Sequence, residues 1–179
     1  MNTKTINQQD KKIQLYATAN DMSQGNRLEL CPLINNHLSN AIDLQMQLKH
    51  AHWNVKGSNF IALHELFDNI HEVMEDYVDK IAERIVQLGG IAHGTVQSVA
   101  LSSRLDEYPY AIADGTLHVA AVTVALSTFG SQIRSMINEA VELDDPATVD
   151  LFTEVLRGVD KSLWFVEAHQ QSNSVEHTI

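Results

Sequence analysis

The sequence predicts an all-α protein, a bundle of four long helices with a short extra helix between the second and the third. Only 8 Gly and 3 Pro occur among 179 residues, so few positions interrupt long helices. Apolar residues recur at three- and four-residue spacing over four long segments. The length suits one domain and is too short for two of ordinary size.

A short connection joins the first two predicted helices. The first is expected to begin near Pro32, because proline suits a first helical turn, and to end before Gly57. Ser58 is then a plausible N-cap for the second helix. The Gly89-Gly90 pair is expected to end that helix, because glycine readily adopts the backbone conformation that closes one.

The second pair of long helices follows a connection from Gly89 to about Gly115, which is long for a helix–helix link. This connection is expected to contain a short helix near Gln97–Leu101. The third long helix should cover about Thr116–Leu143, and the fourth should run from Asp145-Pro146 to about Gln170. The three connections between the long helices are thus short, long and short in that order, which is the arrangement of ferritin-like bundles. The long link lets the second and third helices run parallel.

The predicted domain organisation has three parts. Residues 1–26 form a flexible polar N-terminal tail, residues 27–171 form the bundle, and residues 172–179 form a flexible C-terminal tail. The single Cys31 excludes an internal disulfide and fits a reducing compartment. We find no signal-peptide pattern and no run of about 18 apolar residues, so a cytoplasmic protein with no membrane partner is expected.

The chain is acidic, with 23 Asp and Glu against 12 Lys and Arg and a net charge of −11. Such a protein repels nucleic acid and anionic membranes unless its basic residues are gathered in one place. The same charge attracts metal cations. Acidity that only keeps an abundant protein soluble is an equally good explanation, and composition does not separate the two.

One set of histidine and carboxylate residues has the spacing of a metal site. His52 lies near the end of the first helix, and His64 and Asp68 lie four residues apart on the second, as do Asp79 and Glu83. Residues four apart share a helix face. Imidazole and carboxylate ligands with open positions suit Fe(II), Mn(II) or Zn(II). The alternative is an ordinary solvated helix face.

Helix geometry decides how such a site would be built. Asp68 and Asp79 are 11 residues apart, which is about 16 Å along a helix, so one ion cannot bind both within one copy. The position numbers of His64 and Glu83 add to the same total as those of Asp68 and Asp79. A second copy packed antiparallel across a two-fold axis would therefore bring each pair together and create two identical sites.

Several stretches resemble the Dps family of mini-ferritins, and the resemblance covers roughly residues 30–170. The most specific are HWNVKG and NFIALHELFD; weaker support comes from DKIAER, QLGG and DKSLWF. In the same order these stretches are His52–Gly57, Asn59–Asp68, Asp79–Arg84, Gln87–Gly90 and Asp160–Phe165.

The resemblance implies a function as well as a fold. Dps subunits are four-helix bundles that form two-fold dimers within hollow shells of twelve. They are ferroxidases that oxidise Fe(II), preferentially with hydrogen peroxide rather than oxygen, store the ferric mineral and protect against oxidative stress. The family's catalytic iron ligands fall on His52, His64 and Asp68 of one subunit and on Asp79 and Glu83 of its mate. The expected cofactor is iron, with room for a two-metal site, and zinc can substitute for it.

Two further assignments follow from the resemblance. Acidic pores at three-fold junctions would place Asp144, Asp145 and Asp150 along the path of incoming iron, although a capped helix start explains Asp145 equally well. Trp53 corresponds to a family tryptophan close to the iron site, where it traps stray oxidising equivalents, or it is a packing residue. His50, about 200° around the helix from His52, should face away from the site.

DNA binding is an alternative function, since many Dps proteins compact DNA with lysine-rich tails and associate with the nucleoid. Lys4, Lys11 and Lys12 could act together over a shell, yet the acidic body opposes the approach of DNA. The remaining alternative is a shell whose site holds zinc and oxidises iron poorly.

Overall fold

The computed structural model describes residues 14–171, and within this range it contains five helices and no β-strand. The helices are α1 (Gln24–Asn54), α2 (Phe60–Gln87), α3 (Val96–Ser102), α4 (Gly115–Glu142) and α5 (Pro146–Glu167). This confirms the all-α class, with four long helices and a short one in the long connection. Except at the start of α1, the boundaries follow the prediction to within three residues.

Contacts at the helix ends show how the helices run. Lys56, in the turn after α1, donates its backbone N–H to the Ala113 carbonyl at 2.9 Å and accepts from the Gly115 N–H at 3.1 Å. Helix α4 therefore begins beside the start of α2, and these two helices run parallel. At the opposite end, Asn26 Nδ2 donates to the Leu143 carbonyl at 2.9 Å. Helices α1 and α4 are thus antiparallel, as expected for a ferritin-like bundle.

The core lies between two helix pairs, α1 with α2 and α4 with α5. Phenylalanines from α2, α4 and α5 and leucines from α1 are fully buried, and each contributes roughly 1.5–3 kcal/mol by its removal from water. The largest of these side chains are Phe67, Phe129, Phe152, Leu30, Leu38, Leu44 and Leu48. Their positions explain the three- and four-residue spacing of apolar residues in the sequence.

The start of α1 differs from the prediction. The helix begins at Gln24, and the Ser23 hydroxyl accepts the Asn26 N–H at 3.1 Å as its N-cap. Pro32 lies inside the helix, where its ring removes one backbone hydrogen bond. The start near Pro32 was therefore wrong, because tertiary contacts extend the helix. Buried Arg27, for example, donates Nη1 to the Leu88 carbonyl at 3.0 Å.

The segment before α1 packs against the end of α2. The Tyr16 N–H donates to the Gly89 carbonyl at 2.7 Å. Gly89 has φ +84°, and a Cβ there would lie 2.6 Å from the Tyr16 carbonyl oxygen, so only glycine fits this turn. Leu15 and Met22 of this segment pack against the core, while most of its other residues are exposed. The division into two tails and a bundle stays a prediction. Residues 1–13 and 172–179 lie outside the described residues.

Helix α4 is long and apolar enough to meet a simple length-and-composition test for a membrane span, with a mean hydropathy of 1.2. The core helix of a bundle passes the same test. Val122, Leu126, Phe129 and Ile133 of α4 are buried between the other helices, which accounts for its apolar character. Within residues 14–171 no other helix meets the criterion.

Candidate functional site

His52 and His64 face each other across the α1–α2 turn. His52 Nδ1 lies 2.8 Å from the His64 carbonyl oxygen, and His64 Nδ1 lies 2.8 Å from the His52 carbonyl oxygen. The two rings stack with centroids 3.7 Å apart. This reciprocal pair exists because α1 ends where α2 begins, so residues 12 positions apart become neighbours.

The reciprocal bonds fix the chemistry of both imidazoles. A carbonyl oxygen can only accept, so each Nδ1 carries the proton and donates it. Each neutral ring then keeps its lone pair on Nε2. A backbone bond of this kind orients a histidine for metal binding and sets its tautomer. The Nε2 atoms of His52 and His64 take no part in these bonds.

Asp68 lies one turn beyond His64 on α2. Its carboxylate forms an ion pair with Lys49 of α1 and lies 3.9 Å from His52 Nδ1. The hydrogen bond from Lys49 is the main cause that holds the pKa of Asp68 below its usual range, and the nearby His52 and His71 act in the same direction. The carboxylate is thus ionised and available to a cation at neutral pH.

Asp79 and Glu83 lie farther along α2 and are exposed. Within residues 14–171 no three His, Cys, Asp or Glu side chains of one chain are grouped closely enough to hold a metal ion. The structure therefore places His52 against His64 with Asp68 nearby, in an arrangement that does not hold a metal ion by itself, and leaves Asp79 and Glu83 elsewhere on α2. The five residues do not form a site within one subunit.

The three pore candidates differ from one another. Asp145 is buried and accepts two hydrogen bonds of 2.8 Å from Arg84 Nη2, and it also caps α5 at Thr148. Burial raises its pKa, but the bonds from Arg84 and Thr148 outweigh this, and the pKa lies below its usual range. Asp145 therefore has the contacts of a helix cap. Asp144 and Asp150 are exposed and stay candidates for a pore.

His50 and Trp53 lie beside the site but take no part in the histidine pair. The His50 ring contacts Tyr108 and Tyr110 edge-on, with centroids 5.0 Å and 5.4 Å away. This places His50 on a different side of α1 from His52, as the helical spacing predicted. Trp53 is 62% exposed, so packing within the subunit does not account for it.

Lys49 is the residue near the site that the sequence interpretation missed. It precedes His52 by three positions, so the two share a helix face, and this spacing could have indicated it. The reciprocal backbone bonds of the histidines had no comparable signal, because they depend on how α1 and α2 meet.

Comparison with known proteins adds to this geometry. A family profile described as a ferritin-like domain matches residues 32–173. The chain is 40% identical over 159 residues to the "DNA protection during starvation protein" of Agrobacterium fabrum, which covers 89% of this chain and 98% of that protein. A protein of the same name from Mycolicibacterium smegmatis is 33% identical over 144 residues, 80% of this chain and 78% of that protein.

Solved structures give the same result. DpsA14 from Streptomyces coelicolor superposes with a TM-score of 0.85 at 34% identity, over 90% of this chain and 95% of that one. Mycobacterium smegmatis Dps superposes with a TM-score of 0.83 at 31% identity, over 92% and 100% of the two chains.

Proposed function

Because this chain belongs to the Dps family of ferritin-like proteins, we propose that it binds Fe(II) and oxidises it, preferentially with hydrogen peroxide, at sites shared between two copies of itself. Membership of this family favours iron binding and self-association. The ferroxidase activity, its location and storage of ferric mineral in a twelve-subunit shell are our proposal.

The observation that carries the proposal is the anchored histidine pair. His52 and His64 each use Nδ1 on the other's carbonyl, which leaves both Nε2 atoms for an iron ion. Asp68 supplies an ionised carboxylate beside them. Two nitrogens and one oxygen with open positions are suited to Fe(II) and leave room for an oxidant.

The partner subunit completes the site in this proposal. Asp79 and Glu83 are exposed, lie on the same helix as His64 and Asp68, and make no side-chain hydrogen bond or ion pair to residues 14–171 of their own subunit. A two-fold axis near the middle of α2 would bring them to the histidine pair of a second copy. Iron then acts as substrate, and a second iron ion or zinc can occupy the same carboxylates.

The chemistry assigned to the residues is modest. The imidazoles and carboxylates bind and orient Fe(II). The negative charge of the carboxylates stabilises Fe(III) relative to Fe(II) and so promotes loss of an electron from the iron. Consuming Fe(II) and peroxide together at one place limits formation of hydroxyl radical in solution. This provides the protection against oxidative stress that we propose for the protein.

The test is oxidation of Fe(II) under argon, with and without added peroxide. The wild type is compared with the double variant His64→Ala and Asp68→Ala, and with His93→Ala plus Asp106→Ala, two exposed residues outside the site. We expect rapid peroxide-dependent oxidation in the wild type and the control, and its loss in the site variant. Equal rates in all three proteins would move iron oxidation away from this site.

DNA binding is a second candidate function, favoured by the name of the Agrobacterium fabrum relative and by Lys4, Lys11 and Lys12. These lysines lie outside the described residues. The net charge of −11 makes any such binding dependent on the tails and easily lost with salt. Gel retardation over a salt series, with and without residues 1–13, would test it. Metal analysis of the purified protein would test the zinc-loaded alternative.

A further inference from the structure

A buried tyrosine–histidine pair lies beside the α1 end of the bundle and has no part in the proposed iron site. Tyr108, 5% exposed, comes from the connection before α4, and His118 of α4 is fully buried. The Tyr108 Oη lies 2.7 Å from His118 Nδ1. His118 Nε2 makes no hydrogen bond to the described residues.

The protonation states of the pair are set by burial. Burial raises the pKa of the Tyr108 phenol. Burial and the neighbouring His50 lower the pKa of His118, while the Ile112 carbonyl and Asp114 partly offset this. At neutral pH the phenol is therefore protonated and the imidazole neutral, and Tyr108 donates its proton to the free lone pair of Nδ1.

Aromatic side chains connect this pair to the helix that carries His52. The His50 ring stands between Tyr108 and Tyr110, with centroids 5.0 Å and 5.4 Å away. A cavity of about 610 Å³ lies here, and its walls include His50, Trp53, Tyr108 and Tyr110. Trp53 directly follows His52 in the sequence. Oxidising equivalents that reach Tyr110 thus have an aromatic route inward through His50, and Trp53 lines the same cavity.

We propose that Tyr108 and His118 form a redox pair that takes up one-electron oxidising equivalents escaping from the reaction of Fe(II) with peroxide. This rests on the proposed function for its source of oxidant. The oxidant is hydroxyl radical, the product of one-electron reduction of peroxide by Fe(II).

The step balances within the pair. Tyr108 loses one electron, which reduces hydroxyl radical to hydroxide through the aromatic route. The Tyr108 O–H bond breaks, an N–H bond forms at His118 Nδ1, and the products are a neutral tyrosyl radical and an imidazolium. An electron from a further Fe(II) then reduces the radical, the proton returns from His118, and Fe(III) is formed. A transfer over a 2.7 Å hydrogen bond needs no movement of either ring.

The experiment oxidises the metal-free, full-length protein with photogenerated tris(bipyridine)ruthenium(III) and records radicals by high-field electron paramagnetic resonance. Tyr108→Phe removes the phenol and keeps the ring. Tyr16→Phe is the matched control at an exposed tyrosine outside this aromatic route. His118→Gln keeps a hydrogen-bond acceptor for the phenol but cannot take its proton. Circular dichroism establishes that each variant is folded.

We expect a long-lived tyrosyl signal with a hydrogen-bonded g-tensor in the wild type and in Tyr16→Phe. The signal should be lost in Tyr108→Phe and in His118→Gln. A signal unchanged by Tyr108→Phe would overturn the proposal, and so would a signal fully retained in His118→Gln, since a structural hydrogen bond would survive that change.

A second arm replaces the ruthenium oxidant by Fe(II) and peroxide. A Tyr108 signal in this arm supports the proposal. Iron oxidation without any Tyr108 signal overturns it, because the pair would then receive nothing from the iron reaction. Absence of iron oxidation would contradict the proposed ferroxidase function instead, and the ruthenium arm would still decide whether the pair is redox-active.

Discussion

The Lys49 ammonium forms an ion pair with the Asp68 carboxylate and so joins α1 to α2 beside the histidine pair. The two side chains are 26% and 34% exposed. The ammonium takes the place next to Asp68 that a metal cation would need. Iron binding in the proposed site must therefore displace Lys49 or share the carboxylate with it.

Replacement of Lys49 by methionine should strengthen metal binding, because it removes a competing cation and keeps the length of the side chain. A partly exposed ion pair contributes about 0.2–1 kcal/mol, so the affinity should rise by up to roughly fivefold. Titration calorimetry of Co(II) into the metal-free, assembled protein would measure the change.

Lys161→Met is the control, since Lys161 is exposed on α5 and contacts the Phe165 ring away from the site. The control should bind Co(II) as the wild type does. Weaker binding by Lys49→Met would contradict the competition and show instead that Lys49 holds Asp68 in place for the metal.

Complementation between subunits should reveal a shared site. His64→Ala and Glu83→Ala should each abolish peroxide-dependent iron oxidation in a homo-oligomer. In a heterodimer that contains one copy of each variant, one site lacks both His64 and Glu83 and the other site is intact. Random co-assembly of equal amounts should therefore restore about one quarter of the wild-type sites, which initial oxidation rates would measure.

A mixture of His64→Ala with Asp68→Ala is the matched control for that experiment. Both residues lie on the same half of the proposed site, so in a heterodimer of these two variants each site contains one defective half and neither site is intact. Activity should stay absent. Equal recovery in both mixtures, or in neither, would contradict division of the site between His64 and Glu83.

Most of the fold could be predicted because its signals are local. Apolar spacing, Gly89-Gly90 and Asp145-Pro146 placed three of the four long helices and their connections. The start of α1 could not be predicted in the same way. Pro32 is a strong local signal, but Ser23 and the contact of Arg27 with Leu88 outweigh it through contacts that only the folded chain provides.

The candidate site could be predicted only in part. Spacing on α2 and the family resemblance selected its residues, and the antiparallel turn explains why His52 meets His64. The Lys49 ion pair and the anchoring of each Nδ1 on a carbonyl depend on the relative rotation of α1 and α2, which no periodicity encodes. Asp145 shows the same limitation, because its pairing with Arg84 joins residues 61 positions apart.

Arg84 should be important for stability. Its side chain is 12% exposed and pairs with Asp145, which is 6% exposed, so Arg84→Met would leave a buried carboxylate without its partner. Loss of one member of a buried pair costs about 3–5 kcal/mol. Urea unfolding followed by circular dichroism at one fixed protein concentration would measure the difference.

Arg134→Met is the control for Arg84→Met. Arg134 makes an ion pair of the same type with Asp160, but the two side chains are 54% and 46% exposed. Solvent screens this pair, and its loss should cost no more than about 1 kcal/mol. Similar losses in the two variants would contradict the view that burial sets the importance of the Arg84 pair.

His37 should make the stability of the protein depend on pH. Its ring packs edge-on against Phe152, its Nδ1 has no hydrogen-bond partner among the described residues, and burial together with Arg104 lowers its pKa from 6.5 to about 4. Between these values the unfolded chain binds a proton that the folded protein does not. The free energy of unfolding should therefore fall as the pH is lowered from 6.5 to 4, by on the order of 2–3 kcal/mol.

His37→Leu removes the titrating group and should flatten this part of the pH profile, whatever its effect on stability at pH 7. Carboxylates also titrate at the acid end, but they are common to the variant and the wild type and cancel in the comparison. Asn36→Leu, a neighbouring change at a residue that does not titrate, should keep the wild-type slope. Urea unfolding at half-unit pH steps would give both slopes, and an equal slope in His37→Leu and wild type would assign the dependence to other groups.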